Sequence, residues 1–91
     1  KEYSVSNSNQ ADLKVFVVQY ANQADLKVYR LKYENQSNEN SGQWFFTSYS
    51  SNAKKKVFFT KYANQSDLKI YFVKYKNAAG WQNDAKMGIM Y

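Results

Sequence analysis

A thirteen-residue repeat constrains the fold of this chain more than any other feature of its sequence. YANQADLKVYRLK spans residues 20–32, and the nearly identical YANQSDLKIYFVK spans residues 62–74. Aligned to this template, the chain divides into units at residues 7–19, 20–32, 33–48, 49–61 and 62–74, followed by a terminal segment at 75–91 that we expect to cap the repeats. Within that segment, residues 82–86 could form a short turn or helical segment and residues 87–91 a final strand. The longer third unit carries an insertion that we place in residues 38–42. A period this short fits one strand and one turn.

Each unit has a turn-like first half and a strand-like second half. The first halves, such as ANQAD and ANQSD, are rich in residues that bond to their own backbone and favour turns. The second halves, such as LKVFVVQY and LKIYFVKY, alternate with period two and are rich in β-branched and aromatic residues. The repeat therefore predicts five main strands in a single all-β domain. The lead-in to the first repeat is rich in serine and asparagine, so we expect a frayed start, in which Tyr3 and Val5 could pair as a short edge strand.

Two rows of apolar residues recur at fixed positions of the repeat, on opposite faces of the predicted strands. Neighbouring aromatic residues can form stabilising cross-strand pairs, so we expect the more aromatic row to form the core. This row contains Phe16, Tyr29, Phe45, Phe58 and Tyr71; the opposite row contains Val15, Val28, Trp44, Val57 and Ile70. A third position holds Val17, Phe46, Phe59 and Phe72 but is interrupted by Arg30, which indicates weaker burial there.

The short turns limit the predicted topology. A strand of eight residues spans roughly 26 Å, whereas a five-residue connection reaches at most about 17 Å. The chain cannot then return to start a parallel neighbour, so we expect consecutive strands to run antiparallel in a coiled or two-layered sheet. Coiling would also protect the aromatic edge strands from pairing with other chains.

Composition narrows the classes of function. The 91 residues contain neither cysteine nor histidine, which removes thiolate metal ligands and the commonest general base. We therefore expect no enzyme activity and no cofactor. No apolar run is long enough to span a membrane, and we expect a cytoplasmic monomer. The net charge of +6 attracts polyanions without specifying a site.

Few side chains suggest a binding site, and each has a structural explanation. Lys54, Lys55 and Lys56 form a charge run that could contact nucleic-acid phosphates or simply occupy a solvated turn. Tyrosines interleaved with Lys14, Lys27, Lys69 and Lys74 resemble the stacking surfaces of single-strand binding sheets, but aromatic residues are also what a small β core requires. Three aspartates at one repeat position could line a cation site, although turn bonding and pairing with a lysine of the next strand are favoured. They are Asp12, Asp25 and Asp67.

The repeat and its ending resemble a known group of proteins. The tandem NQADLKVY pattern, its AKKKVFFTK variant at Ala53–Lys61 and the AGW ending at Ala79–Trp81 are similar to small, uncharacterised β-repeat proteins. The resemblance implies a deeply knotted chain with a seven-crossing torus knot. It implies no activity and no site residues. We therefore expect a non-enzymatic, unusually stable β-repeat module, with weak, sequence-tolerant nucleic-acid binding through a basic-aromatic face as the alternative.

Overall fold

The described part of the computed structural model contains seven short strands, most of them joined by single 3₁₀ turns. The structure describes residues 1–33 and 41–89. Most of the predicted insertion at residues 38–42, together with Glu34, Glu39, Met90 and Tyr91, lies outside the described residues. The strands are β1 (Glu2–Ser4), β2 (Leu13–Val17), β3 (Leu26–Arg30), β4 (Gln43–Trp44), β5 (Lys55–Phe59), β6 (Leu68–Phe72) and β7 (Gly80–Trp81).

The sheet is curled and mostly parallel, so the predicted all-β class is correct but the predicted antiparallel arrangement is wrong. The strand order is β1-β5-β2-β6-β3-β4, and every pair along this path is parallel. Only β7, which pairs with β3, is antiparallel among the described ladders. From β1 to β3, strands from the first and second halves of the chain alternate along the sheet. Among the described strands, only β3 and β4 are both consecutive in sequence and adjacent in the sheet.

A regular stagger between neighbouring strands explains how short turns serve a parallel sheet. Val17, at the end of β2, and Leu26, at the start of β3, both pair with Ile70 of β6. The chain therefore begins β3 at the level where it left β2, and it never has to return. It moves sideways across β6, a distance of about 9.6 Å for two strand spacings, which the connecting residues reach easily. The antiparallel prediction failed because it assumed that successive strands begin at the same height in the sheet.

The two ends of the curled sheet are joined through Glu2. Its N–H donates to Phe45 O at 2.9 Å, and its carbonyl accepts the Thr47 N–H at 2.8 Å, so the segment after β4 pairs with β1. The start of the chain is thus held in the sheet rather than frayed. This pairing covers edges that would otherwise expose unpaired backbone groups.

The corners between strands are tight 3₁₀ turns, as the turn-forming residues predict. Gln23 N–H donates to Tyr20 O at 3.0 Å, and Gln65 N–H donates to Tyr62 O at 3.1 Å. Equivalent turns occupy Ser8–Gln10, Ala21–Gln23, Ser50–Asn52, Ala63–Gln65 and Lys76–Ala78. Each residue before a turn has an extended backbone, which allows the strand to enter the corner directly.

The core is the valine-rich row, and the prediction that the aromatic row forms the core is wrong. The buried cluster consists of Leu13, Val15, Leu26, Val28, Trp44, Val57, Leu68 and Ile70. The aromatic row is half-buried on the outer face. A tightly curled sheet has a narrow interior, because interior width grows with strand number. Compact side chains fill that interior, and one tryptophan completes it.

The end of the chain closes over the corner before β3. Gln82 Nε2 donates to the carbonyls of Ala21 at 2.6 Å and Ala24 at 2.9 Å, which fixes the segment after β7. A 3₁₀ segment follows at Asp84–Ile89, where the sequence suggested a short turn or helical segment and then a final strand from Met87. The strand prediction is wrong for residues 87–89. Within the described ranges, no helix has the length and apolarity needed to span a membrane.

Candidate functional site

A hydrophobic cavity opens at the carboxyl ends of the parallel strands, where the fifth residues of the strands converge. Its volume is about 360 Å³, and it is lined by Tyr3, Ser4, Val17, Arg30, Phe46, Thr47, Phe59 and Phe72. We call it the phenylalanine mouth. The carboxyl end of a parallel sheet is the usual location of ligand sites in α/β proteins, because strand ends and loops meet there.

The rings of the phenylalanine mouth form a continuous series. Phe59 lies between Phe46 and Phe72, at centroid distances of 6.1 Å and 6.5 Å. Trp44 meets Phe46 edge-on at 6.1 Å and is fully buried beneath it. The tryptophan therefore forms a floor beneath the rings. The three phenylalanines are only half-buried, so part of their surface remains accessible.

Arg30 brings a positive charge to this apolar surface. Its Cζ lies 5.0 Å from the centroid of Phe46 and 5.5 Å from that of Phe72, within the range of cation–π attraction. Arg30 is itself exposed, and no carboxylate among the described residues pairs with it or lines the phenylalanine mouth. The arrangement offers guanidinium donors beside flat aromatic surfaces.

The predicted lysine site is divided between different surroundings. Lys54 and Lys56 are exposed, whereas Lys55 is half-buried and faces Glu2 as its register partner in the β1–β5 ladder. All three lie at the start of β5, away from the phenylalanine mouth at its end. The structure thus keeps the run near one strand end but does not present it as one surface.

A second groove on the outer face combines lysines with aromatic rings. Its volume is about 620 Å³, and its lining includes Lys14, Phe58, Lys61 and Tyr62. We call it the basic-aromatic groove. Phe59, which also lines the phenylalanine mouth, and the polar residues Ser6, Ser8, Thr60 and Gln65 complete the lining. Lys14 was among the lysines that the sequence placed beside tyrosines, whereas the neighbouring Lys61 was not singled out.

The tyrosines that mark the repeat boundaries are all exposed. Their exposed fractions range from 58% for Tyr20 to 70% for Tyr75, with Tyr33, Tyr49 and Tyr62 between these values. Each of these tyrosines except Tyr33 directly precedes a 3₁₀ turn of the described part. Side chains this exposed contribute little to the core, so the repeat retains tyrosine at these corners for a reason other than burial.

The repeated aspartates bond to the backbone of lysines on neighbouring strands and, among the contacts of the described residues, not within their own turns. Asp12 Oδ2 accepts the Lys56 N–H at 2.9 Å, and Asp67 Oδ2 accepts the Lys14 N–H at the same distance. Asp25 bonds to Lys69 in the same way. No cluster of three metal-ligating side chains occurs within residues 1–33 and 41–89. These carboxylates therefore extend the sheet at its amino-terminal end.

Sequence reasoning missed the phenylalanine mouth although one signal pointed to it. Arg30 stood out as a charge in the row of Val17, Phe46, Phe59 and Phe72. The sequence could not show that this row converges at one end of a curled sheet. That convergence requires the two-residue stagger, which appears only when the strands are paired.

Comparison with known proteins identifies the family but no activity. A family model described as the 7(1) septoil knot domain matches residues 1–82. No curated protein and no solved structure matches the chain. The matched region includes every strand described above and both halves of the alternating sheet. The chain therefore belongs to the septoil knot domain family, a family of small, knotted-type repeat proteins.

Proposed function

We propose that this chain is a non-enzymatic, monomeric β-repeat module of the cytoplasm, whose deep knot protects it from unfolding and proteolysis. The observation that carries the proposal is the alternation of strands from the two halves of the chain in the order β1-β5-β2-β6-β3-β4. Neither half can leave the sheet while the other stays wound, because β5, β2 and β6 are each bonded on both sides to strands of the other half.

The hydrogen bonds that join the two halves connect residues that are distant in sequence, which favours slow folding and unfolding. The Lys56–Asp12 and Lys69–Asp25 bonds each connect residues 44 apart, and the Lys14–Asp67 bond connects residues 53 apart. Folds with such non-local pairing fold slowly, since chain closure must precede each contact. A seven-crossing torus knot adds threading of a chain end to that barrier. Resistance to unfolding then reflects a slow rate of unfolding rather than an unusually large free energy of unfolding.

The non-enzymatic part of the proposal depends on composition and on the nature of the cavities. The sequence offers no cysteine or histidine to act as nucleophile or base. The lining of the phenylalanine mouth combines aromatic rings, hydroxyl groups and one guanidinium, a set suited to holding a molecule. Binding and persistence therefore describe the module better than turnover.

Unfolding kinetics test the knotted module directly. The chain is transferred into and out of guanidinium, and tryptophan fluorescence is followed, because Trp44 is fully buried and Trp81 is half-buried in the folded chain. We expect unfolding and refolding transitions that remain separated after days of incubation. An Ile70→Ala variant serves as control, since a core truncation lowers stability without changing the winding; its transitions should shift together and stay separated. Coincident transitions within minutes would contradict the proposal.

A second candidate function, weak binding of single-stranded nucleic acid, is favoured by the basic-aromatic groove. Lys14 and Lys61 can neutralise phosphates while Phe58 and Tyr62 offer surfaces for stacked bases. Such binding tolerates sequence, because every base has an aromatic face. The groove supports this function better than the predicted run Lys54, Lys55 and Lys56, whose members do not share one surface.

Fluorescence anisotropy of a labelled random single-stranded oligonucleotide tests this second candidate at low and near-physiological salt. The double variant Lys14→Gln and Lys61→Gln should weaken binding and reduce its salt dependence. The control is Lys54→Gln with Lys56→Gln, which removes the same charge at the predicted lysine run. Equal losses in both double variants would indicate attraction to net charge alone, and a loss confined to the control would return the site to the lysine run.

A further inference from the structure

We propose that the phenylalanine mouth binds a small anion that joins a flat aromatic group to a carboxylate or phosphate. This inference goes beyond the stable-module proposal, because a long-lived fold needs no ligand. It is also separate from the basic-aromatic groove, because the two linings share only Phe59. The charge of Arg30, the geometry of the rings and the size of the cavity select this ligand.

The positive charge of Arg30 favours an anionic ligand. Arg30 is the one charged residue in the described lining, and no carboxylate of the described residues faces it there. Its guanidinium makes cation–π contacts with the rings of Phe46 and Phe72. Those contacts leave the N–H groups at the edge of the plane available. A planar fork held in this way suits two parallel hydrogen bonds to one oxyanion.

The rings select a flat apolar group. Phe59 occupies the middle of the ring series, with half-buried phenylalanines on both sides. An aromatic ligand gains both apolar burial and offset or edge-on ring contacts against such a series. Val17 is 42% exposed at the rim, which adds apolar surface that the protein itself leaves uncovered. The anionic group of the ligand then points to Arg30.

Hydroxyl groups in the lining and the buried Trp44 beneath it further limit the size and polar groups of the ligand. Thr47 Oγ1 accepts the Tyr49 N–H at 3.2 Å, so its own proton is available to a ligand oxygen. Tyr3 and Ser4 add two more hydroxyls to the lining. Trp44 fills the sheet interior beneath the rings, which prevents deeper entry. A volume of about 360 Å³ lies at the lower end of typical small-ligand sites, which favours a small molecule.

A nuclear magnetic resonance titration of the intact chain tests this proposal. The ¹⁵N-labelled protein is titrated separately with 2-naphthoate, its neutral analogue 2-naphthamide, and adenosine monophosphate. We expect shifts centred on Arg30, Phe46, Phe59 and Phe72, with naphthamide at least about tenfold weaker than naphthoate. The stronger of naphthoate and the nucleotide identifies a carboxylate or a phosphate ligand. No saturable shift with either anion would overturn the proposal.

Matched variants separate Arg30 from general positive charge. Arg30→Gln should weaken naphthoate binding at least about tenfold, while Arg30→Lys, which keeps charge but loses the planar fork, should recover only part of it. Lys56→Gln removes an exposed charge at the other strand end and should leave affinity unchanged. Equal weakening by Lys56→Gln and Arg30→Gln would overturn the proposal. If Arg30→Gln fails to fold, equal affinity of the unaltered chain for naphthoate and naphthamide would overturn it.

Discussion

Asp25 and Lys69 are bonded to each other twice across the two halves of the chain. The Asp25 N–H donates to Lys69 O at 2.8 Å, and Asp25 Oδ2 accepts the Lys69 N–H at 2.9 Å. The carboxylate thus takes the place of a backbone carbonyl one step beyond the strand. Asp12 with Lys56 and Asp67 with Lys14 repeat this arrangement. The Asp-x-Lys element of the repeat is therefore a device that joins the two halves.

Replacing Asp25 by alanine should destabilise the protein more than the same change at Asp12. Either change leaves a strand N–H without its acceptor, at a cost of about 1–3 kcal/mol. Asp25 is more buried than Asp12, and its Oδ1 also accepts from Asn83 Nδ2 at 3.1 Å. Amide hydrogen exchange at Lys69 should quicken in Asp25→Ala. Asp25→Asn keeps an acceptor oxygen and serves as control; unchanged exchange at Lys69 in the alanine variant would contradict the assignment.

Gly42 should not tolerate alanine. Its φ is +90°, a conformation that side chains rarely adopt, and an added Cβ would meet the carbonyl oxygen of Lys27. We expect Gly42→Ala to reduce stability by about 2 kcal/mol or more. The measurement is the denaturation midpoint at a matched incubation time. Gly88→Ala is the control, because nothing lies near its added Cβ. Similar midpoints for the two variants would count against the close approach at Gly42.

The same substitution, valine to alanine, made separately at two positions of β2 locates the boundary of the core. Val15 is fully buried, whereas Val17, two residues later on the same side of β2, is 42% exposed at the phenylalanine mouth. Val15→Ala should cost about 2 kcal/mol, from the lost burial of two methyl groups and the cavity left behind. Val17→Ala should cost clearly less. Thermal unfolding of the two variants measures this difference in stability. A larger loss of stability for Val17→Ala than for Val15→Ala would contradict this boundary of the core.

Glu2 and Lys55 occupy inward positions that apolar residues fill in other strands. Glu2 is fully buried and pairs in register with Lys55, which shares its face of β5 with Val57. Replacing a buried acid and base together by apolar residues is often neutral or stabilising, whereas removing one of them is costly. We expect Glu2→Val with Lys55→Leu to be at least as stable as the unaltered chain, and Glu2→Val alone to be less stable.

A double-mutant cycle measures this coupling from denaturation midpoints. The single and double variants should differ from additivity by about 1 kcal/mol or more. Additive effects would mean that the two side chains do not act as a pair. In that case the double variant should simply sum the two single changes.

The sequence by itself determined the elements of this protein. Period-two alternation and β-branched residues are local signals, and they located the strands at Leu13–Val17, Leu26–Arg30, Lys55–Phe59 and Leu68–Phe72 to within a few residues. Turn-forming residues likewise located the 3₁₀ corners. The repeated motifs resembled the knotted family that the family match now identifies.

Only the tertiary structure decided how these elements combine. Two apolar rows lie on opposite faces of each strand, and periodicity cannot tell which row faces inward; the narrow curled sheet selects Val15, Val28 and Ile70 over the larger aromatic residues. Parallel pairing required the stagger that places Leu26 level with Val17. That same stagger brings Arg30 to the rings of Phe46 and Phe72. Local sequence sets conformation and alternation, whereas register is fixed by contacts between residues that are distant in the chain.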